Sequence, residues 1–333
     1  MEYKQTIIDA LDVVRKRDLA DKQPFKARAY QTVITQLKHL EGPVMTMEDL
    51  VSIKGMGEAI KKKIQEILET GQLQAAERAK ASHPIEALTA FQNIYGVGPA
   101  KAMELTAQGF RTIQELRANP AVLNDKQKVG LIYYEQLLER IPREEMEEHR
   151  DILLHYLPFP AEIVGSFRRG LATSGDIDVL LRVPKGLTNV KQHLAQIVSK
   201  LIKAGYIQEV LAIGEHKCMA ICRRDESSTS RRLDLLMTPE EEYACALLYF
   251  TGSDRFNVAF RQHALTKGYT LNEHALTVVK GSANGSANGS AKAVPPMETE
   301  QDIFRFLRLR YIPPTERVDN QQIIRMGPSV AKS

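Results

Sequence analysis

The chain has 333 residues, 43% hydrophobic and 26% charged, with 45 Lys plus Arg against 41 Asp plus Glu. That length implies two or three globular units at roughly 100–200 residues each, and the composition excludes global disorder, a collagen and a disulfide scaffold. The net charge of +4 is too small to indicate a nucleic-acid partner by itself; local distribution must carry that argument.

From the N-terminus the pattern is helical. IIDALDVV, YQTVITQL and AIKKKIQEIL place apolar residues at helical spacing. MEYKQTIIDALDVVRKRD mixes charge into these positions, unlike a secretory signal, so an intracellular protein is expected. SIKGMGEAIKKKI gives a hydrophobic residue, a tight Gly-x-Gly turn and a new helix, and NIYGVGPAKAMEL repeats the device. The glycines are Gly55 and Gly57, then Gly96 and Gly98. Such a turn exposes backbone amides that suit a phosphate, and the spacing suits a plain tight turn between two helices as well. Arg15 to Lys63 holds 11 basic and 6 acidic residues, a patch that suits DNA or a solvated helix surface. Within Lys61-Lys62-Lys63, the stripe Ile60, Ile64, Ile67 and Leu68 leaves Lys62 opposite and Lys61 and Lys63 on its flanks. Spacing does not choose between those two as a nucleophilic amine.

Helical spacing continues from about 83 to 155, and Pro158 and Pro160 break it. AEIVGSF, DIDVLLRV, KCMAICRR and RRLDLLMT read as strands, with a helix over QHLAQIVSKLIKAG. After Pro239 one helical segment runs through EEYACALLYFTGSDRFNVAFRQHALTKG, followed by short strands and a last helix near DIFRFLRLRY. GSANGSANGSA (281–291) is low in complexity and is expected to be a flexible loop joining two strands. No apolar run approaches the roughly 20 residues of a membrane span. Cys218, Cys222 and Cys245 lack a second Cys or His pair at zinc spacing and read as reduced thiols.

The most informative segment is GSFRRGLATSGDIDVLL, 165–181. Strand alternation puts Asp176 and Asp178 on one face and Ile177 and Val179 on the other, buried, face. Two anions side by side call for a cation, and Mg2+ favours carboxylates plus phosphate oxygens. Asp234 in RRLDLL would face the same way from a neighbouring strand, and three carboxylates can hold two metals about 4 Å apart. The Gly165-Ser166 turn offers N–H groups and a hydroxyl to a phosphate, with Arg169 to neutralise it. Ser174 and Gly175 form a second such turn beside the acids. Phosphate binder and metal binder are adjacent, as phosphoryl transfer requires.

GSFRRG, SGDIDVLL, RRLDLL and LYFTGSDRFN together resemble the X family of DNA polymerases, that of DNA polymerase beta, over about residues 5 to 317. The resemblance implies an α+β multidomain fold. An all-helical lyase and DNA-binding domain (1–80) and a helical duplex-binding subdomain (81–142) would each carry one helix-hairpin-helix. A nucleotidyltransferase-type mixed-sheet palm (143–239) and a small α+β nucleotide-selection subdomain (240–333) would follow. It implies template-directed gap filling in base excision repair: a primer 3′-hydroxyl attacks the α-phosphate of a dNTP between two Mg2+ ions on Asp176, Asp178 and Asp234, Mn2+ being able to substitute. Asp234 would accept the proton, and Arg232 would hold that carboxylate or the primer phosphate. Arg140, Gly165, Ser166, Arg169, Ser174 and Gly175 would bind the triphosphate. Tyr249, Phe250, Gly252, Asp254 and Asn257 would form the sugar and base pocket, Asn257 donating to the minor-groove edge. Arg261 would contact the template.

In the N-terminal region the resemblance places Lys63 at the Schiff-base lysine of a 5′-deoxyribose phosphate lyase. Lys26 and Tyr30 match a 5′-phosphate ligand and its neighbour. Na+ or K+ would sit on backbone carbonyls of Val51, Ile53 and Met56, and of Gln92, Ile94 and Val97. The sequence departs from a member of the family at Leu236, where that member has a basic residue, at Val258 in place of a template-stacking lysine, and at His274 in place of a tyrosine. Phe25 and Ala59 replace polar residues, which implies weaker 5′-phosphate binding. The expected partners are gapped or nicked DNA and dNTPs, without a membrane, for a monomer. The GSAN segment stands where an apolar loop binds a strand-break repair scaffold, so that scaffold is not expected. The alternative is a template-independent nucleotidyltransferase, which shares the GS…D-x-D core; the short RRDESSTSRR connection disfavours it. Intact aspartates argue against a non-catalytic DNA-binding module.

Overall fold

In the computed structural model, which describes residues 2–40, 42–82, 84–279 and 293–326, the chain divides into two units, Met1–Tyr134 and Glu135–Ser333. The first unit is helical. It comprises α1 (Lys4–Ala20), α2 (Pro24–Lys38), α3 (Glu58–Thr70), α4 (Gln74–Ser82), α5 (Ile85–Gln92), α6 (Pro99–Ala107), α7 (Ile113–Ala118) and α8 (Asp125–Ile132). The stripes read from the sequence are the core: Ile7, Leu11 and Val14 of α1 pack with Val33, Ile34 and Leu37 of α2 and Ile60, Ile64 and Ile67 of α3. A second cluster gathers Leu88 and Phe91 of α5, Ala102 and Leu105 of α6, Leu116 and Leu131. In the two Gly-x-Gly turns only the first glycine is left-handed, Gly55 at φ 81° and Gly96 at φ 84°, a conformation that costs a side chain about 1 kcal/mol or more. Gly57 and Gly98 are extended caps that start α3 and α6.

Helix α9 (Tyr134–Leu138) leads into the second unit. There follow β1 (Ile141–Pro142), α10 (Arg143–Tyr156), β2 (Ala161–Ile163), α11 (Gly165–Arg168), β3 (Thr173–Ser174), β4 (Ile177–Val183), α12 (Val190–Lys203), β5 (Ile207–Ile213), β6 (Lys217–Cys222) and β7 (Arg231–Pro239). Strands β2-β4-β7-β6-β5 form a five-stranded sheet. β4 and β7 run parallel and their neighbours antiparallel, so the sheet is mixed. Ile177, Val179, Leu181 and Val183 face Met146 and Leu153 of α10 and Leu194, Ile197 and Leu201 of α12. The first unit ends at Tyr134, and Ile141 pairs with Ser174, which ties that short strand to the sheet domain.

The chain ends with α13 (Tyr243–Thr251), α14 (Asp254–Thr266), β8 (Tyr269–Leu271), β9 (Leu276–Val278) and α15 (Glu300–Phe306). The single helix expected after Pro239 is broken at Gly252, where the Ser253 hydroxyl caps α14 by accepting from Phe256 N at 3.2 Å. Helix α15 starts earlier than DIFRFLRLRY suggests because Thr299 and Asp302 form a capping box. The 281–291 segment lies outside the described residues, and the chain after it (293–299) enters α15 without forming a strand. The three cysteines are free and buried. No helix among the described residues is long and apolar enough to cross a membrane.

Under the sheet lies a buried histidine that sets a pH limit. His149 Nδ1 is 2.8 Å from the Tyr206 hydroxyl, while Nε2 has no hydrogen-bond partner among the described residues. Burial holds its pKa down at about 4. Unfolding therefore takes up a proton between about 6.5 and 4, and stability is lost as pH falls through that window, by about 3 kcal/mol from this group. His149→Gln should flatten this slope: urea midpoints at pH 7 and 4.5 should lie closer together in the variant than in the wild type.

Candidate active site

The site is assembled where β2 ends and β4 begins. Val164 N donates to Asp178 O at 2.9 Å, so the turn after β2 is stitched to the acid-bearing strand. Gly165 then adopts φ 64°, and a Cβ there would lie 3.3 Å from Asp178 Oδ2. Only glycine allows both that conformation and that approach. Ser166 Oγ donates to Ser174 Oγ at 2.9 Å, joining the two proposed phosphate turns. Arg140 reaches the same place, with Nε donating to Thr173 Oγ1 and Nη2 to Thr173 O, both at 2.8 Å. A Cβ on Gly175 would lie 3.5 Å from Arg140 Nη1.

Arg169 Nη1 donates to Thr251 O at 2.6 Å, and a Cβ on Gly252 would come within 3.0 Å of the same Nη1. Burial lowers the Arg169 pKa, opposed by the Asp254 charge. Tyr249 and Phe250, half-buried, meet edge to face with centroids 5.1 Å apart. Asn257 Nδ2 donates to Tyr249 O at 2.6 Å, so one of its two N–H groups serves the protein itself. Arg261 is exposed, one turn further along α14.

The acids sit on the sheet face that α13 partly covers. Leu180 and Leu236 pack there with Val164 and Ala246, and alternation brings Asp178 and Asp234 to the same side. These two acids are paired in register across parallel β4 and β7. Asp234 is buried; its Oδ1 has no hydrogen-bond partner among the described residues, and its Oδ2 lies 2.7 Å from Lys217 Nζ. Burial, then the Asp234 charge, pushes the Asp178 carboxyl up to about 6, with Lys217 opposing. Two adjacent carboxylates, one with an unpartnered buried oxygen, fit a hard divalent cation.

The chain itself supplies a cation to each of two acids. Asp176 forms an ion pair with Arg232, and among the described residues no group of three or more His, Cys, Asp or Glu is already gathered around one point. Arg232, expected to hold Asp234 or a primer phosphate, pairs with Asp176, and Lys217 pairs with Asp234. Neither Lys217 nor Thr251 stood out in the sequence. Both act across strands or subdomains, and no local pattern marks such partners.

In the helical unit, Lys61 pairs with Glu58 at 3.0 Å, whereas Lys63 is half-buried with Nζ 3.4 Å from Ala59 O. Lys26 is exposed on α2, while Tyr30 belongs to the core. Val51 is exposed, Ile53 buried and Met56 half-buried at the first hairpin. At the second, Gln92 is half-buried, and Ile94 O accepts from Val97 N at 3.0 Å.

Four families match the chain in succession. Residues 2–73 match a helix-hairpin-helix domain, 89–138 the fingers domain of DNA polymerase lambda, 140–240 the DNA polymerase beta palm and 246–318 the DNA polymerase beta thumb. DNA polymerase lambda of Rattus norvegicus is 35% identical over 326 residues, covering 95% of this chain and 56% of the relative. DNA polymerase lambda of Arabidopsis thaliana is 30% identical, with 87% and 57% covered. The DNA polymerase type-X family protein pol4 of Schizosaccharomyces pombe is 26% identical, with 94% and 64% covered. The chain thus spans less than two thirds of the length of these curated relatives.

Proposed function

Because this chain belongs to the X family of DNA polymerases, we propose that it fills short gaps in DNA during base excision repair, adding dNMP from a dNTP to a primer 3′-hydroxyl under the direction of a template. The observation that carries this reading is the in-register pair Asp178 and Asp234 beside the Gly165-Ser166 turn. Asp176, Asp178 and Asp234 would hold two Mg2+ ions, or Mn2+, which supply Lewis acidity at the hydroxyl and at the leaving pyrophosphate. Ser166, Ser174 and Gly175 with Arg140 and Arg169 bind the triphosphate. Tyr249 and Phe250 lie under the ribose and exclude a 2′-hydroxyl by contact. Asp234 takes the hydroxyl proton. Gapped or nicked DNA is held through the Gly55 and Gly96 hairpins, with Na+ or K+ on their carbonyls, and the protein works as a monomer, in the nucleus if its cell is eukaryotic.

Extension of a primer at a one-nucleotide gap, compared with an unpaired single strand, tests this reading. Templated addition confined to the gap is expected. Equal addition to the single strand would instead indicate a template-independent transferase. The connection from Cys222 to Arg231 is short, which supports template dependence.

A lyase step through Lys63 belongs to the same proposal: its amine condenses with C1′ of a 5′-deoxyribose phosphate with loss of water, β-elimination breaks the C3′–O bond and frees the 5′-phosphate end of the DNA, and hydrolysis of the imine releases the sugar phosphate and restores the amine. Lys63→Ala should abolish borohydride trapping on an incised abasic substrate and Lys61→Ala should retain it. Full trapping by Lys63→Ala would remove the assignment.

A further inference from the structure

One cation beside the acids belongs to the chain itself. Lys217 begins β6 and pairs in register with Leu236, while Met219 lies opposite Asp234. Lys217 and Asp234 are therefore diagonal neighbours, a separation that long side chains bridge. Its ammonium meets Asp234 Oδ2 at 2.7 Å, with 43% of the Lys217 side chain exposed against 7% of Asp234.

We infer that Lys217 is a positioning residue of the transfer site, a resident counter-ion that holds the Asp234 carboxylate toward β6 and competes with divalent cations for Oδ2. The inference rests on reading Asp178 and Asp234 as cation ligands. Three features separate Lys217 from an ordinary surface pair. Its partner is buried and stands in register with a second carboxylate. Its contact is a single point on a flexible, hydrated stem, which leaves easily. By contrast, the neighbouring Arg231 is buried and grips Glu145 with two nitrogens, at 2.7 and 2.8 Å. A wet ammonium on a buried acid orients and neutralises it through a single contact that can break, so the acid stays open to exchange.

The test is Mn2+ binding to the full chain, read from the electron paramagnetic resonance of free Mn2+. Lys217→Met should bind Mn2+ at least about threefold tighter than wild type, since a unit charge a few ångströms away is removed. Lys217→Arg should restore the wild-type affinity, and Asp234→Asn should weaken it. A gain in affinity is not what loss of a merely structural contact would give. Unchanged or weaker binding by Lys217→Met, with Asp234→Asn still impaired, would overturn the inference alone. Equal binding by wild type and Asp234→Asn would remove the metal-ligand reading, and the inference with it.

Discussion

Replacing Asp178 with asparagine is expected to lower nucleotide transfer by about 10³-fold or more while raising the unfolding free energy at pH 7. The activity loss follows from removing one of two in-register carboxylates, since Lewis-acid stabilisation is worth several kcal/mol and each 1.36 kcal/mol is tenfold. The stability gain follows from the same geometry. Asp178 faces Asp234 across the strand pair, and its carboxyl is pushed up to about 6 by burial and then by that neighbour. A carboxyl with a raised folded-state pKa favours folding below its unfolded pKa, near 3.8, and that contribution is lost as pH rises through about 6. At pH 7 the ionised group therefore opposes folding by up to about 3 kcal/mol, which the neutral amide removes. Urea denaturation in chelator-containing buffer, together with gap filling, checks both halves. A variant less stable than the wild type would show that Asp178 is a structural ion-pair partner instead of a strained site acid. The sense is opposite to that of His149, whose burial destabilises the fold as pH falls toward 4, so the two variants separate overlapping titrations.

What the sequence made legible depends on the range over which each feature acts. The stripes of α1, α2 and α3 are local and periodic, and they are the residues found buried. Asp178 and Asp234 were identifiable because each interrupts an apolar strand. Their true neighbours were not: Asp176 turns to Arg232 and Asp234 to Lys217 through a sheet order that alternation does not encode. Strand β5 was missed because it lies at the sheet edge with Val210 and Ile213 exposed, so it carries little hydrophobic alternation. The break between α13 and α14 was hidden because helical spacing continues through both helices on either side of Gly252 and the Ser253 cap.

The other large effect expected is at Glu300, which is almost wholly buried between two guanidinium groups. Its carboxylate accepts from Arg168 at 3.1 and 3.0 Å and from Arg317 Nη1 at 2.5 Å. Burial pushes its pKa up, but the bonds and charges of Arg317 and Arg168 win, so it stays below the ordinary range. Arg317 is itself fully buried, with its guanidinium 5.5 Å from the Phe304 centroid and 5.7 Å from that of Phe256. Removing the anion leaves a buried cation uncompensated, and Glu300→Ala should cost about 3–5 kcal/mol. The double variant Glu300→Leu, Arg317→Met should recover much of that loss, because the rings around Arg317 already form an apolar bed. The same anion steadies the edge of the proposed nucleotide pocket: Arg168 also donates to Thr251 Oγ1 at 2.7 Å, one residue before Gly252, while Arg169 donates to Thr251 O. Glu300→Ala should therefore raise the dNTP KM more than it lowers kcat, and the stability-restored double variant should keep the KM defect. If the double variant regained a normal KM, Thr251 would be held by its own Leu247 carbonyl bond at 2.5 Å, and the Arg168–Glu300–Arg317 chain would serve stability alone.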